Sequence, residues 1–430
     1  MGISDLASNL DAVLRSGVGV LYSWMKLRLR KALICWGILT FLFVPADGLA
    51  QSQVQASAEN SSLLKDAAQS LAAGDLKRAE SVLHIVLGTA PDDFRALNLL
   101  GIIRAEQHRD ADAEELFNRA IKLKPDFASA HVSLGMLYVQ MSKPDEAIPQ
   151  FQEALRLDAA RSDARASLIQ VLRDEAHAGL RENDPEKALS LLLQARKISP
   201  EDPDVQYEFG MVALNMSLLP DALQALKDAL ALRKDDGKAL YALGRTQMAL
   251  ANFEDARATF DRYGQLHPAD ASGHYALGMT LEALQRAADA RRQFEKSIEL
   301  QPAQTESYFQ LGRIELEAGN PGAADAQFTR VLSRDSHHAG ALGSEGRLKF
   351  EQKDYAQALD LLEKAIALNA SLREAHYYLG MTYARMNRKS DSDTELAIAS
   401  RLEHEEVERH QNLIRIIDAD QVPAAAEQKK

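Results

Sequence analysis

Residues 239–268 read ALYALGRTQMALANFEDARATFDRYGQLHP and contain two apolar patterns with helical spacing. The first pattern includes Leu240 and Gly244, and the second ends at Leu266. Pro268 follows and marks a stop, because proline cannot continue a helix. Since helix–helix connections are usually only a few residues long, the stretch predicts two helices of about 12–14 residues joined by a turn.

The same pattern recurs along most of the chain. Its alanine returns every 34 residues, with one step of 41, at Ala79, Ala113, Ala147, Ala188, Ala222, Ala256, Ala290, Ala324 and Ala358. Glycine keeps the same phase at Gly101, Gly135, Gly210, Gly244, Gly278, Gly312, Gly346 and Gly380. A fixed period of this length is the signature of a repeat array. The sequence therefore predicts an all-α protein built of successive helical hairpins.

The recurring glycine needs a physical reason. Glycine inside a helix costs about 0.5–1 kcal/mol relative to alanine, so its repetition at one phase requires a compensating contact. A close approach of two helix backbones is the simplest such contact. Phenylalanine often lies four residues after the recurring alanine and shares its face, at Phe117, Phe151, Phe260, Phe294 and Phe328.

Gly101, Ala113, Phe117, Ala120 and Pro125 together give one complete copy of the motif. This pattern resembles the tetratricopeptide repeat (TPR) family, in the form found in exported bacterial proteins. The resemblance covers ten units over residues 60–404 and implies an α-solenoid that winds into a right-handed superhelix. The first and last units are atypical, as expected for capping repeats.

One unit, at about residues 162–202, is seven residues longer than the others. The extra residues either lengthen its first helix, as we favour, or form a loop. Its projecting end could contact a partner, although a tolerated irregularity is the simpler interpretation.

The first 50 residues have a different character. Basic residues 25–31 precede a 13-residue apolar run, 32–44, and then small residues. This order predicts a secretory signal peptide over 1–50, and the position of Met25 directly before the basic residues suggests it as an alternative start of translation. The protein is then periplasmic or secreted, with no stable membrane span after cleavage. An uncleaved anchor is the alternative.

The remaining segments outside the array are short. Residues 51–59 are predicted to be a linker, 405–418 a C-terminal capping helix, and 419–430 a disordered tail.

Composition and motifs exclude several classes of function. With 50 Lys and Arg against 62 Asp and Glu, the net charge is −12, so a nucleic acid is a poor partner. The one cysteine, Cys35, lies inside the predicted signal peptide. No phosphate loop, nucleophile elbow or zinc-protease motif is present. We therefore expect no enzyme activity, no cofactor and no metal site.

A second stripe on the predicted first helices is the candidate site. It consists of aromatic, methionine and arginine residues at two positions of each repeat, four residues apart: Tyr207, Met211, Tyr241, Arg245, Tyr275, Met279, Phe309, Arg313, Arg347, Tyr377 and Met381. These residue types are enriched at the centres of protein interfaces. The TPR resemblance implies that first helices line a concave groove. The row could instead be buried between adjacent helices and serve only the core.

These patterns favour a non-catalytic adaptor of the cell envelope that binds a polypeptide segment in the groove, with the arginines orienting its acidic groups. The alternative is a structural scaffold, or an accessory subunit for envelope assembly or polysaccharide synthesis or export, for which a polysaccharide is a possible partner.

Overall fold

The computed structural model describes residues 51–420, with side chains from 59 to 407. Over this range the chain forms twenty α-helices and no strand, so the predicted all-α class is confirmed. The first eight helices are α1 (Gln51–Ala72), α2 (Leu76–Thr89), α3 (Phe94–Glu106), α4 (Asp110–Leu123), α5 (Ala128–Gln140), α6 (Pro144–Leu157), α7 (Ser162–Arg181) and α8 (Pro185–Ile198). The next twelve are α9 (Pro203–Asn215), α10 (Leu219–Leu232), α11 (Gly237–Ala249), α12 (Phe253–Leu266), α13 (Ala271–Ala283), α14 (Ala287–Leu300), α15 (Thr305–Glu317), α16 (Pro321–Arg334), α17 (Ala339–Glu351), α18 (Tyr355–Leu368), α19 (Arg373–Arg385) and α20 (Lys389–Asp420).

The helices form ten hairpins, distributed over two compact units that divide between Ser199 and Pro200. Unit 1 contains α1–α8 and unit 2 contains α9–α20. Within each unit the two helices of a hairpin pack together, and the second helix packs on the first helix of the next hairpin. This stacking of like units is the architecture of a helical solenoid.

Each hairpin turns through one residue with positive φ. In two hairpins this residue is Gly74 or Gly319, and in the others it carries a side chain, as Ala251 does at φ 57°. The N–H of Asn252 donates to the carbonyl of Gln247 at 2.8 Å, which is the bond that closes a Schellman motif. The turn therefore satisfies carbonyls at the end of the first helix.

The recurring glycine of the first helix faces a buried side chain of the second helix. A Cβ on Gly244 would lie 2.6 Å from Cε1 of Phe260, and one on Gly312 would lie 2.5 Å from Cε1 of Phe328. Three hairpins use leucine in place of the ring, in the pairs Gly210–Leu226, Gly346–Leu362 and Gly380–Leu396. The expected contact between two backbones is therefore corrected: a side chain fills the space that glycine leaves.

The extra residues of the fourth hairpin lie in its first helix, α7. Helix α7 has 20 residues, against 13 in α5, and no loop interrupts it. The sequence from Ser162 to Arg181 contains one glycine and no proline, so nothing in it breaks the helix early.

The structure differs from expectation near both ends of the described range. Helix α1 begins at Gln51, so the residues expected as a linker, 51–59, are helical; no glycine or proline lies among them. Residues 405–418 continue α20 and do not form a separate helix. The predicted signal peptide, 1–50, and the last ten residues of the predicted tail, 421–430, lie outside the described residues. Among the helices that are described, none has the length and hydropathy needed to cross a membrane.

Candidate partner-binding face of unit 2

All eleven predicted site residues lie on the first helices of unit 2. They form an aromatic row and, four residues later, a row of methionine and arginine, which together we call the first-helix stripe. Ten of them are half-buried, and Tyr377 is 43% exposed. The equivalent positions of unit 1 include Asn98, 4% exposed, and Val132, 9% exposed. The row thus keeps accessible aromatic surface in unit 2, whereas these two unit 1 positions are buried.

The aromatic residues of the stripe contact the core with one edge. The ring of Tyr241 lies 5.7 Å from that of Phe260, and the ring of Tyr275 lies 5.8 Å from that of Phe294. Burial raises the pKa of the Tyr241 and Tyr275 hydroxyls. These side chains therefore serve the core and the surface together, a combination that the sequence presented as two alternatives.

Carboxylates already neutralise two of the three stripe arginines. Arg313 lies 3.2 Å from Glu282 on the preceding first helix and 3.9 Å from Glu317. The sequence predicted that the arginines orient acidic groups of a bound segment, but Arg313 is already paired with carboxylates of its own chain. Its capacity to hold a carboxylate of a partner is correspondingly reduced.

Arg347 is bracketed in the same way. It lies 2.9 Å from Glu351 and 2.8 Å from Glu374 of α19, and its guanidinium lies over the Tyr378 ring at 5.4 Å. Burial lowers the pKa of Arg347, but the two carboxylate hydrogen bonds outweigh burial and raise it. With two carboxylates on one arginine, this end of the stripe carries a surplus of negative charge.

Arg245 differs from the other two stripe arginines. Among the described residues it has no ion pair and no hydrogen bond. Its charge acts on two stripe tyrosines, lowering the pKa of Tyr207 and Tyr241 against the larger raising effect of burial. Arg245 is therefore the stripe cation best placed to accept a carboxylate from outside, and arginine can do so through two parallel hydrogen bonds.

Glu282, the carboxylate that pairs with Arg313 of the stripe, is partly buried. Its Oε2 is buried and accepts no hydrogen bond from the described residues, while Oε1 faces Arg313. Burial raises the pKa of Glu282, Arg313 lowers it, and Glu317 raises it again, with a net upward shift. An unsatisfied buried acceptor costs stability when it is ionised.

The shifted pKa of Glu282 predicts a pH dependence. A carboxyl whose pKa is raised by folding stabilises the folded state fully below its unfolded pKa, near 4.5, and this contribution is lost as pH rises through the folded pKa. The free energy of unfolding of the wild type should therefore fall, relative to that of Glu282→Gln, as pH rises from 4.5 toward neutrality. Urea titrations of both proteins across this range measure the difference, and parallel curves would show that Glu282 does not titrate with a raised pKa.

One position of the aromatic row carries no side chain and is not among the predicted site residues. Gly343 of α17 stands where Phe309 and Tyr377 stand in the flanking hairpins. A Cβ on Gly343 would meet only Ala375 at 3.6 Å and Ala365 at 3.7 Å, which are ordinary contacts. The signal was available as a glycine in an otherwise aromatic row, but only the structure shows that no packing contact requires it.

Replacing this glycine should therefore stabilise the fold. We expect Gly343→Ala to raise the free energy of unfolding by about 0.4–1 kcal/mol, because alanine restricts the unfolded chain and fits the helix without strain. Gly264→Ala on α12 is the matched control, since a Cβ there would meet nothing within 4 Å. Thermal melts of both variants measure the gain, and a destabilised Gly343→Ala protein would show a packing requirement that the distances do not contain.

Comparison with protein families identifies the repeat. Profiles described as "Tetratricopeptide repeat" match residues 70–126, 132–203, 173–239, 217–279 and 271–304, and one described as "TPR repeat" matches 346–387. Together these matches span more than half of the chain. The chain is a tetratricopeptide repeat protein. TPR fold families are generally non-catalytic scaffolds, and TPR proteins typically bind protein partners. The repeat supports a role for this chain as a protein-interaction adaptor.

The curated relatives match only parts of the TPR array. Human "Protein O-mannosyl-transferase TMTC3" is 33% identical over 89 residues, which is 20% of this chain and 10% of that protein. The chain thus spans only a small part of the curated relatives that it matches. MamA 41-end from Desulfovibrio magneticus RS-1 is 22% identical with a TM-score of 0.38, covering 40% of this chain and 96% of that chain. The Cut9–Hcn1 hetero-tetramer structure of APC/C is 13% identical with a TM-score of 0.45, covering 84% and 97%.

The described residues offer no alternative centre of metal chemistry. Within the part of the chain that the structure describes, no group of three or more His, Cys, Asp or Glu side chains could hold a metal ion. His338, the second of two consecutive histidines, has structural partners: its Nδ1 accepts from the N–H of Ala341, and its Nε2 lies 3.3 Å from Glu306. The first-helix stripe is therefore the candidate functional surface.

Proposed function

We propose that this TPR protein is an adaptor that binds a polypeptide segment along the first-helix stripe of unit 2. The observation that carries the proposal is the row of half-buried tyrosine, phenylalanine and methionine residues, which rest on the core and leave one face accessible. Aromatic rings held in this way supply contact area with little loss of conformational freedom on binding. Methionine adapts its shape to an irregular partner.

The charges along the stripe give the bound segment a direction. Arg245, which has no partner among the described residues, would hold an acidic group of the segment at one end. The surplus carboxylates around Arg347, with Glu374 51% and Glu351 42% exposed, favour a basic group at the other end. This replaces the simpler expectation that all three arginines orient acidic groups.

We place the adaptor in the cell envelope, as a periplasmic or secreted protein. The support is the sequence of the first 50 residues, in which a basic segment precedes a short apolar run and small residues. Sequencing the N-terminus of the protein purified from its natural source tests this assignment. A mature N-terminus near Gln51 supports export, and an intact leader on a protein recovered from the cytosol contradicts it.

Binding itself is tested with two stripe variants that should not disturb the fold. Arg245→Glu removes no ion pair of the described structure, and Tyr377→Ala removes a side chain that is 43% exposed. Arg313 is a poorer choice, because its replacement leaves Glu282 buried without a cation. Lys227→Glu and Leu368→Ala are matched controls on the exposed faces of the second helices α10 and α18.

The expected result concerns affinity for a partner captured from envelope extract by the full chain. We expect the double variant Arg245→Glu, Tyr377→Ala to bind at least about tenfold more weakly than wild type, equivalent to about 1.4 kcal/mol. The double control should bind like wild type. If only the double control weakened binding, the binding surface would lie on the second helices. If the chain captured polysaccharide and no protein, a role in polysaccharide synthesis or export would be favoured.

A further inference from the structure

A notch interrupts the first-helix stripe at Gly343, between Phe309 of α15 and Tyr377 of α19. The three positions are equivalent in successive hairpins, so a side chain at 343 would project in the same direction as the two rings. Only Ala375 and Ala365 approach the place of the missing Cβ, at 3.6 and 3.7 Å. The row therefore has no side chain at this place, and an added Cβ would make only ordinary van der Waals contacts.

The walls of the notch are aromatic and apolar. Tyr377 is 43% exposed, whereas Tyr241 and Tyr275, at the same position, are half-buried. Its ring packs edge-on against Tyr378 at 5.2 Å, and Tyr378 in turn lies under the Arg347 guanidinium. Phe309 packs against Phe328 and against His338 at the start of α17, with ring centroids at 6.4 and 4.8 Å, and a Cβ on Gly340 of α17 would lie 2.8 Å from its Cζ. These supported rings are fixed walls for an inserted group.

The glycine is not there for packing or for backbone geometry. Gly346, three residues later on α17, would place a Cβ 2.6 Å from Leu362, whereas Gly343 has room for one. Gly343 also has no positive φ. Glycine at 343 therefore makes α17 less stable than alanine would. Such a loss of stability is typical of positions where function requires the absence of a side chain.

The charge around the notch is negative. Glu351 and Glu374 both contact the single cation Arg347, and Glu306 pairs with His338. The side chains of these glutamates are 42%, 51% and 37% exposed, so each has an accessible edge. A ligand that brings a positive charge beside the notch complements this surplus.

We infer that the Gly343 notch is a specificity pocket for one bulky apolar side chain of a bound polypeptide, and that a lysine or arginine flanks this side chain in the segment. The inference rests on the proposed function, because it specifies which residues the stripe selects. An inserted aromatic or long aliphatic group fills the missing place in the row, between Phe309 and Tyr377. The flanking cation lies against Glu351 and Glu374, and Ala365 and Ala375 form the floor.

The test is selection of a displayed library of random short peptides on the immobilised full chain, followed by fluorescence anisotropy of the selected peptides. Gly343→Phe fills the notch with the residue type that Phe309 supplies one hairpin earlier. Gly343→Ala, which the distances accommodate, is the smaller change and is expected to give an intermediate loss. Gly264→Phe on α12 is the matched control, and circular dichroism verifies that each variant is folded.

We expect wild type to select peptides with a bulky apolar residue next to lysine or arginine. Gly343→Phe should bind them at least about tenfold more weakly, and Gly264→Phe should bind them like wild type. Replacing the bulky residue by alanine in the peptide should cause a similar loss with wild type and little further loss with Gly343→Phe.

Two results would overturn the inference in distinguishable ways. If the peptides bound wild type and Gly343→Phe equally but bound Arg245→Glu more weakly, the stripe would still be the binding surface and the proposed pocket at Gly343 would be wrong. Failure of wild type to select any peptide would overturn both the pocket and the proposed polypeptide binding.

Discussion

Gly244→Leu is expected to lower the free energy of unfolding by about 1–3 kcal/mol, because it overfills a closed contact. Even a single Cβ at this position would lie 2.6 Å from two atoms of the Phe260 ring, and that ring is only 1% exposed. Gly244 is itself buried in the middle of α11, so neither helix can yield without disturbing a neighbour. Urea or thermal denaturation of the full chain measures the loss.

The same substitution at Gly264 separates packing from helix propensity. Gly264 lies in the second helix of the same hairpin, where an added Cβ would meet nothing within 4 Å. Leucine at 264 should leave stability unchanged or increase it by a few tenths of a kcal/mol up to about 1 kcal/mol. Equal losses at both positions would show that the ring contact is not the reason for the glycine at 244.

Phe328→Ala is expected to be one of the most damaging truncations in the core of unit 2, at a cost of about 3–5 kcal/mol. The ring is 0% exposed and fills the space over Gly312. Its removal leaves a cavity between α15 and α16 and also withdraws the support of Phe309 in the stripe. Chemical denaturation measures the first effect, and loss of partner binding under native conditions measures the second.

The chain itself provides the control for this prediction. Leucine occupies the place of the ring over Gly210, Gly346 and Gly380, so Phe328→Leu reproduces a pair that other hairpins use. It should cost clearly less than Phe328→Ala, because leucine keeps most of the buried apolar volume. Equal losses for the two variants would mean that the ring has a role other than filling space.

The periodic residues made the fold predictable before the structure was known. The 34-residue repetition of glycine, alanine and phenylalanine predicted the hairpin and its helix lengths, because each of these residues fills one recurring contact. The residue that contacts the glycine was harder to predict. The sequence suggested a close approach of two backbones, whereas in the structure the glycine faces a ring sixteen positions later, as Gly244 faces Phe260. The turns were also hidden, since residues such as Ala251 and Lys353 adopt positive φ without a glycine signal.

The candidate site was predictable in position but not in charge. Equivalent positions in a repeat share a face, so the row from Tyr207 to Met381 could be assembled from the sequence. Whether an arginine is free depends on neighbouring hairpins: Glu282 reaches Arg313, and Glu374 reaches Arg347, across first helices of adjacent repeats. Among the residues that the structure describes, no carboxylate reaches Arg245. These differences come from side-chain reach between repeats, which periodicity alone does not determine.

Site-specific photo-crosslinking tests the central claim most directly, because it reports which face of unit 2 touches a partner. A photoreactive phenylalanine analogue replaces Tyr275 on the stripe in one protein and Lys296, 48% exposed on the second helix α14, in another. Both full-length proteins are irradiated with envelope extract, and adducts are identified by mass spectrometry. The account predicts a polypeptide adduct from position 275 and none from position 296. An adduct from position 296 with none from 275 would contradict it and place the binding surface on the second helices.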